Sequence, residues 1–268
     1  MDCRFSIPSL SRARFTRVFA THPDLPDLLD DDAVLWRYVD LARYLDLIRT
    51  AELHLARADS MLDTWEGSFG HKNVELRPSI YGENYPMMAA AIPQMYEFAR
   101  THVFLSCWYA APVESAAMWT IYDREQRGVA LRTTHGRMRE ALRGTREVYG
   151  STVEYADYSS TFIPEHNLFS PYRYKRASFE HEHEFRLIAP WFVKTEPKAP
   201  DSNEEIPVEP DAPPLVLREP VALEKLVESV RVSPTAPDWA LEAIDDVTAK
   251  YGYKWPVGKS DLASGPIF

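Results

Sequence analysis

The chain has 268 residues, 45% hydrophobic and 12% aromatic, enough for one large core or two small ones and too ordered in composition for disorder throughout. A net charge of -10 and a pI near 5.3 exclude a protein that lives on nucleic acid by bulk electrostatics, although a local basic patch can still hold a phosphate-bearing ligand. Cys3 and Cys107 make no disulfide framework, no signal-peptide pattern follows Met1, and no apolar run approaches the length of a membrane span, so a soluble protein of the cytoplasm with no membrane partner is expected.

Residues 1–32 place Arg4, Arg12, Arg14 and Arg17 before Asp24, Asp27, Asp30, Asp31 and Asp32, and read as an N-terminal arm with at most one short helix. Residues 33–268 read as one domain. Its first strand, 33–39, is branched and aromatic. Asp40 then sits at a helix N-cap, with Leu41, Tyr44, Leu45 and Ile48 at helical spacing. Residues 52–56 alternate as a second strand, and 59–67 are rich in turn formers. An arginine inside an apolar strand is unusual, because an unpaired buried charge is expensive. Arg37 therefore reaches the strand end or has an anionic partner, with exposure on an edge strand as the remaining option.

Residues 68–85 look irregular, and 86–100 make a helix that Pro93 kinks or restarts. Residues 103–109 are a strand whose one hydroxyl is Ser106. A short helix over 112–122 puts Trp119 and Tyr122 on one face. A strand over 128–132, a helix over 134–143, a strand over 152–158 and an irregular aromatic stretch over 162–174 follow. Residues 179–188 alternate. As a strand they put Glu180, Glu182, Glu184 and Arg186 on one face, and Phe179, His181, His183, Phe185 and Leu187 on the other. Carboxylates at two-residue spacing repel one another unless cations or a ligand answer them.

The acidic, proline-rich residues 194–214 cannot bury enough surface to order themselves and read as a long flexible loop. A strand over 215–217, a short helix over 223–227, a strand over 229–233, an amphipathic helix over 238–251 (Trp239, Leu241, Ile244, Val247) and a last strand at 254–257 complete the chain. No internal repeat, glycine-rich phosphate loop or metal-type Cys/His spacing is visible. Strands and helices mix without strict alternation, which predicts α+β: a mostly antiparallel sheet, split or continuous, flanked by helices.

Five landmarks then fall in order: Leu35, Trp36, Arg37 and Tyr38; Met61, Asp63 and Glu66; Phe104, Ser106, Cys107 and Trp108; Met118, Trp119 and Tyr122 with Gly128; and Phe179, Glu182, Glu184, Phe185 and Arg186. As a set they resemble the bacterial family catalogued as domain of unknown function 2971, from residue 33 to the end of the chain, interrupted by the acidic loop. Thr64 and Trp65 depart from the family's Pro-containing turn, and Phe179 and Phe185 stand for its Trp and Tyr. An Arg on the first strand, a Ser on a middle one and Glu-x-Glu on a later one is also similar to the Arg–Ser–Glu pattern of ADP-ribosyltransferases.

That second resemblance implies an ADP-ribosyltransferase-like fold that uses NAD as substrate. Arg37 would hold the diphosphate by paired charge-assisted bonds. Ser106 would position Arg37 or the ribose strand, and Trp119 or Tyr122 would stack the nicotinamide. Glu184 would stabilise oxocarbenium charge as the nicotinamide–ribose bond breaks, and Glu182 would act as base for the acceptor, a protein or a nucleic acid. A toxin or phage-defence effector is the setting such chemistry implies. Two rivals stand beside it. One is a non-catalytic binding or regulatory module of a similar system. The other is a metal-dependent hydrolase using His181 and His183, completed by His54, His166 or an Asp. Whether Arg37, Ser106 and Glu184 converge on one cleft separates them.

Overall fold

In the computed structural model, residues 18–123, 127–191, 194–197, 205–208 and 212–267 are described. The elements begin with β1 (Phe19–Ala20), β2 (Val34–Val39), α1 (Leu41–Thr50) and β3 (Glu52–Arg57). A helical hairpin, α2 (His71–Tyr81) and α3 (Tyr85–His102), leads into β4 (Val103–Ala110) and α4 (Ala116–Tyr122). Then come β5 (Val129–Thr134), α5 (His135–Ala141), β6 (Val148–Thr152), β7 (Glu154–Ala156), α6 (Ser170–Arg173), β8 (Tyr174–Arg176) and β9 (Glu184–Pro190). The chain continues with β10 (Lys194–Pro197), β11 (Glu205–Val208), β12 (Val216–Pro220), α7 (Leu223–Leu226), β13 (Ser229–Val232), α8 (Asp238–Lys250) and β14 (Val257–Lys259).

The architecture is α+β, with a large mixed sheet and no closed barrel. Ten strands join it, in the order β1-β6-β9-β4-β2-β5-β13-β14, with β3 also pairing β4 and β12 pairing β3. Interior pairs are antiparallel, and the pairs at the two ends, β1 with β6 and β13 with β14, are parallel. The sheet is split at β4. Its C-terminal end pairs β2 (Trp36 opposite Tyr109) while its N-terminal end pairs β3 (Ala56 opposite Leu105). The helix α1 bridges those two parallel strands, started by Asp40, whose side chain accepts from the Arg43 N–H at 2.7 Å.

Register fixes the faces, because residues opposite one another in a ladder share a side. One face gathers Leu35, Leu131, Trp108, Phe185, Leu187 and Val230 against Tyr44, Leu47 and Ile48 of α1 and the apolar sides of α5, α7 and α8, forming the main core. The other face carries two smaller apolar clusters. Trp36, Tyr38 and Ala130 sit under Met118 and Trp119 of α4, and Leu105 and Ile188 sit under Phe169 and Tyr172. Between these clusters the second face is charged, and Glu182 and Glu184 lie there.

Several expectations change. Of the arm read over residues 1–32, residues 1–17 lie outside the described residues, and 18–32 are tied to the domain: Phe19 pairs Val148, Leu25 is buried, and Asp31 receives Arg139 at 2.7 Å. Residues 71–81 form α2 despite Pro78, since Asn73, Arg77 and Tyr81 are all anchored on Glu165. Residues 148–152 are a strand although Gly150 interrupts the pattern. A Cβ there would stand 2.5 Å from Phe19 Cζ and 2.8 Å from Phe185 Cζ, so close ring packing excludes any side chain. A short antiparallel hairpin, β10–β11, lies within the stretch read as a flexible loop, whose remaining residues fall largely outside the described ones. On α8 the buried positions are Ala240, Ile244 and Thr248, whereas Trp239 is exposed.

The acidic stretch changes most. Ala177–Glu182 is a 3₁₀ turn, and His183 takes a left-handed conformation (φ 36°) before β9 starts at Glu184. Only Glu184 and Arg186 therefore keep the strand alternation, and Glu180, His181 and His183 face solvent.

Candidate functional site

Arg186 sits on β9 opposite Cys107 of β4 and is fully buried, in the middle of the charged face. Its guanidinium is saturated. Nε and Nη2 donate to the two oxygens of Glu184 (2.7 and 3.1 Å), and Nη1 and Nη2 donate to the two oxygens of Glu66 (2.7 and 2.9 Å). The second Nη1 proton reaches the Tyr172 carbonyl at 2.8 Å. All five donors thus have acceptors, two of them carboxylates held bidentate. Lys175 of β8 closes the far side, donating to Glu184 at 3.0 Å and bonding Glu182 as well. The loop landmark belongs to the same frame, since Asp63, three residues before Glu66, accepts from Arg176 at 2.6 Å.

These contacts set the charge states. Burial works to raise the Glu184 carboxyl, but Arg186 and Lys175 outweigh it and hold the group down at about 2. Burial likewise works against the Lys175 and Arg186 charges, and Glu184 foremost overcomes it, so both titrate above their usual values. Glu66 titrates higher than an ordinary carboxyl because burial outweighs Arg186. Burial, then the Glu184 charge, pushes the Cys107 thiol well up, which leaves it an unreactive thiol. Chemically the cluster is a set of buried paired charges in which Arg186 and Lys175 hold Glu184 ionised, while burial favours the neutral form of Glu66.

Arg37 lies across the sheet. Its partner in β5 is Leu131, a main-core residue, and its guanidinium stands 5.5 Å from the ring of Trp108. It reaches into the gap where β2 and β3 part, donating to the His54 carbonyl at 2.6 Å. A small cavity of about 20 Å³ opens there, lined by Arg37, Arg43, Glu52 and His54 over Val39, Leu47 and Leu131. Burial lowers the Arg37 pKa to about 10. Of the three sequence options, two are not met: Arg37 is mid-strand, and among the described residues no carboxylate is paired with it; its side chain is part-buried rather than fully withdrawn from solvent.

The six residues singled out in the sequence thus divide. Arg37 and Ser106 share the core face, where the Ser106 hydroxyl accepts from the Trp108 indole N–H at 3.0 Å. Glu182, Glu184, Trp119 and Tyr122 lie on the opposite face. Glu182 bonds Lys175, and Trp119 packs edge-on to Tyr38 at 5.0 Å and donates to Glu114 at 2.9 Å. Tyr122 is partly exposed and feels the Glu182 charge. The sheet is one strand thick between the two groups, so Arg37 still senses Cys107 electrostatically, but it shares no hollow with Glu184.

The sequence missed Glu66 and Lys175 as partners of the acidic strand. Glu66 stood among the quoted landmarks, but nothing local pairs it with Arg186, 120 residues away along the chain. Among the described residues, no group of three or more His, Cys, Asp or Glu side chains is placed to hold a metal ion, and no helix is long and apolar enough to cross a membrane. Comparison with protein-family models, curated proteins and solved structures finds no match to this chain. The family resemblance therefore rests on the quoted residues alone.

Proposed function

We propose that the chain is a non-catalytic binding or regulatory module, with the Arg186 network serving as its rigid frame. The observation that supports this is the filling of Glu184: one oxygen accepts from Arg186, and the other accepts from both Arg186 and Lys175. A carboxylate so engaged, with three of its roughly four acceptor sites taken by cations inside the protein, is poorly placed to meet a ribose hydroxyl or a developing oxocarbenium ion, and one held at about 2 is a poor proton acceptor at neutral pH. NAD-dependent ADP-ribosyl transfer would need Arg37 and Glu184 in one hollow, and the ladder register sets them back to back.

Incubating the full chain with NAD and following nicotinamide release by chromatography tests this. No release above a buffer blank is expected from the native chain, with or without added protein or RNA acceptors. Enzyme-dependent release that disappears in Glu184→Gln, while that variant keeps its circular dichroism spectrum, would restore the transferase reading.

A further inference from the structure

The helix α3 carries more apolar surface than the domain covers. Its buried positions are Met88, Ile92, Tyr96 and Ala99, the first three packing with Phe69 and Leu168. On the uncovered side, every exposed position from Pro86 to Gln94 is uncharged. A surface helix ordinarily turns charged residues to solvent, and a helix without them on any side is one that something covers. The outward side also has a period. Asn84, Met87, Ala91, Gln94, Phe98 and Thr101 follow at steps of three, four, three, four and three residues, the spacing of a coiled-coil seam. Its two large apolar side chains stand in solvent, Met87 66% exposed and Phe98 48%.

We infer that this seam is where two copies of the chain meet, α3 against α3, as a parallel pair about a two-fold axis. Charge selects both the occupant and the direction. With a net charge of -10, two copies repel over most of their surface and meet at least cost on an uncharged face. Taking the seam as positions a and d puts Glu97 at g and His102 at e. In a parallel pair the g residue of one helix faces the e residue five positions on in the other. Glu97 of each copy then meets His102 of the other, and the axis makes that contact twice. Both side chains are available for it. Glu97 is exposed and has no ion-pair partner among the described residues. The His102 ring stacks on Phe98 at 3.7 Å with Nδ1 bonded to the Phe98 carbonyl at 2.9 Å, which leaves Nε2 for the carboxylate. An antiparallel pair would set Glu97 beside Ala90 and His102 beside Tyr81, with neither charge answered. In the parallel register Asn84 and Gln94 each lie against their own counterparts, where amide pairs fix alignment at a cost in affinity. The 18 residues of α3 span about 27 Å, so the contact is small and the dimer weak and concentration-dependent. None of the Arg186 network takes part, so this inference and the binding-module reading can each fail alone.

The experiment is sedimentation velocity of the full chain over a concentration range of about 1 to 200 µM. The weight-average mass should climb from 30.8 kDa towards twice that value as concentration rises. Met87→Glu and Phe98→Glu change exposed side chains and should keep melting within about 2 °C of the native chain. Each should nevertheless weaken association about ten-fold or more, because the axis brings two carboxylates together in the seam. Gln94→Cys tests the direction: in a parallel pair it stands beside its own counterpart and should link to it under oxidised glutathione, with the native chain, carrying Cys3 and Cys107, as background. A mass of 30.8 kDa at every concentration overturns the inference and leaves the face to a different partner. Association that both glutamate variants leave undiminished overturns it too, as does a Gln94→Cys dimer no more abundant than the native background.

Discussion

Replacing Arg186 by Met keeps the buried volume and removes all five donors at once. Glu66 and Glu184 then remain buried, with Lys175 as the one cation left within reach of Glu184. Summing a few kcal/mol for each charged hydrogen bond would exceed the whole stability of an ordinary domain, so the sum is not the answer. The variant escapes by protonating a carboxyl. Removing one partner from a buried pair costs about 3–5 kcal/mol. At about 2–4 °C per kcal/mol for a domain of this size, melting should fall by about 6–20 °C. The loss should also depend on pH, and the sign follows from the groups involved. In the native chain Glu184 is depressed from 4.5 to about 2, so its contribution is complete above 4.5 and disappears as pH falls towards 2. In Arg186→Met both carboxyls lose their counter-charge and rise, so lowering the pH relieves the variant by protonation. Thermal melts followed by circular dichroism at about pH 7.5 and pH 5 should show the gap between native and variant narrowing at the lower pH. A gap below about 2 °C, or one of equal size at both pH values, would refute the network as a frame.

Two other substitutions probe the supports of the sheet. Gly150→Ala forces a Cβ into Phe19 and Phe185, so about 1–3 kcal/mol should be lost in urea unfolding, with proteolysis near residue 18 appearing as β1 detaches. Glu165→Ala removes the shared acceptor of Asn73, Arg77 and Tyr81, and amide exchange should accelerate across α2 while the β4 and β9 amides stay protected.

Much of the framework was legible because local rules and global packing agreed there. Asp40 announced α1, and the strands on either side of that helix appeared where branched and alternating residues put them. The helix α2 was not legible, because its apolar residues lack helical spacing and its anchor, Glu165, lies about ninety residues away. The stretch 179–183 misled for the opposite reason. Alternating charges imitate a strand, yet nothing in the alternation reveals that His183 turns the chain with a positive φ. For the candidate site, the sequence identified Glu184 and Arg186 as residues under electrostatic tension and could not identify their partners. Arg37 stood out as a charge inside an apolar strand, but its side of the sheet depends on ladder register, which no single strand carries.

The split at β4 carries one more consequence. A strand that lends its two ends to different neighbours cannot shift along either without breaking with the other, so β4 locks the relative slide of both halves of the sheet. The gap beside Arg37 is the space that this shared strand cannot fill. It persists whatever occupies it, because closing it would mean unzipping one of the two ladders.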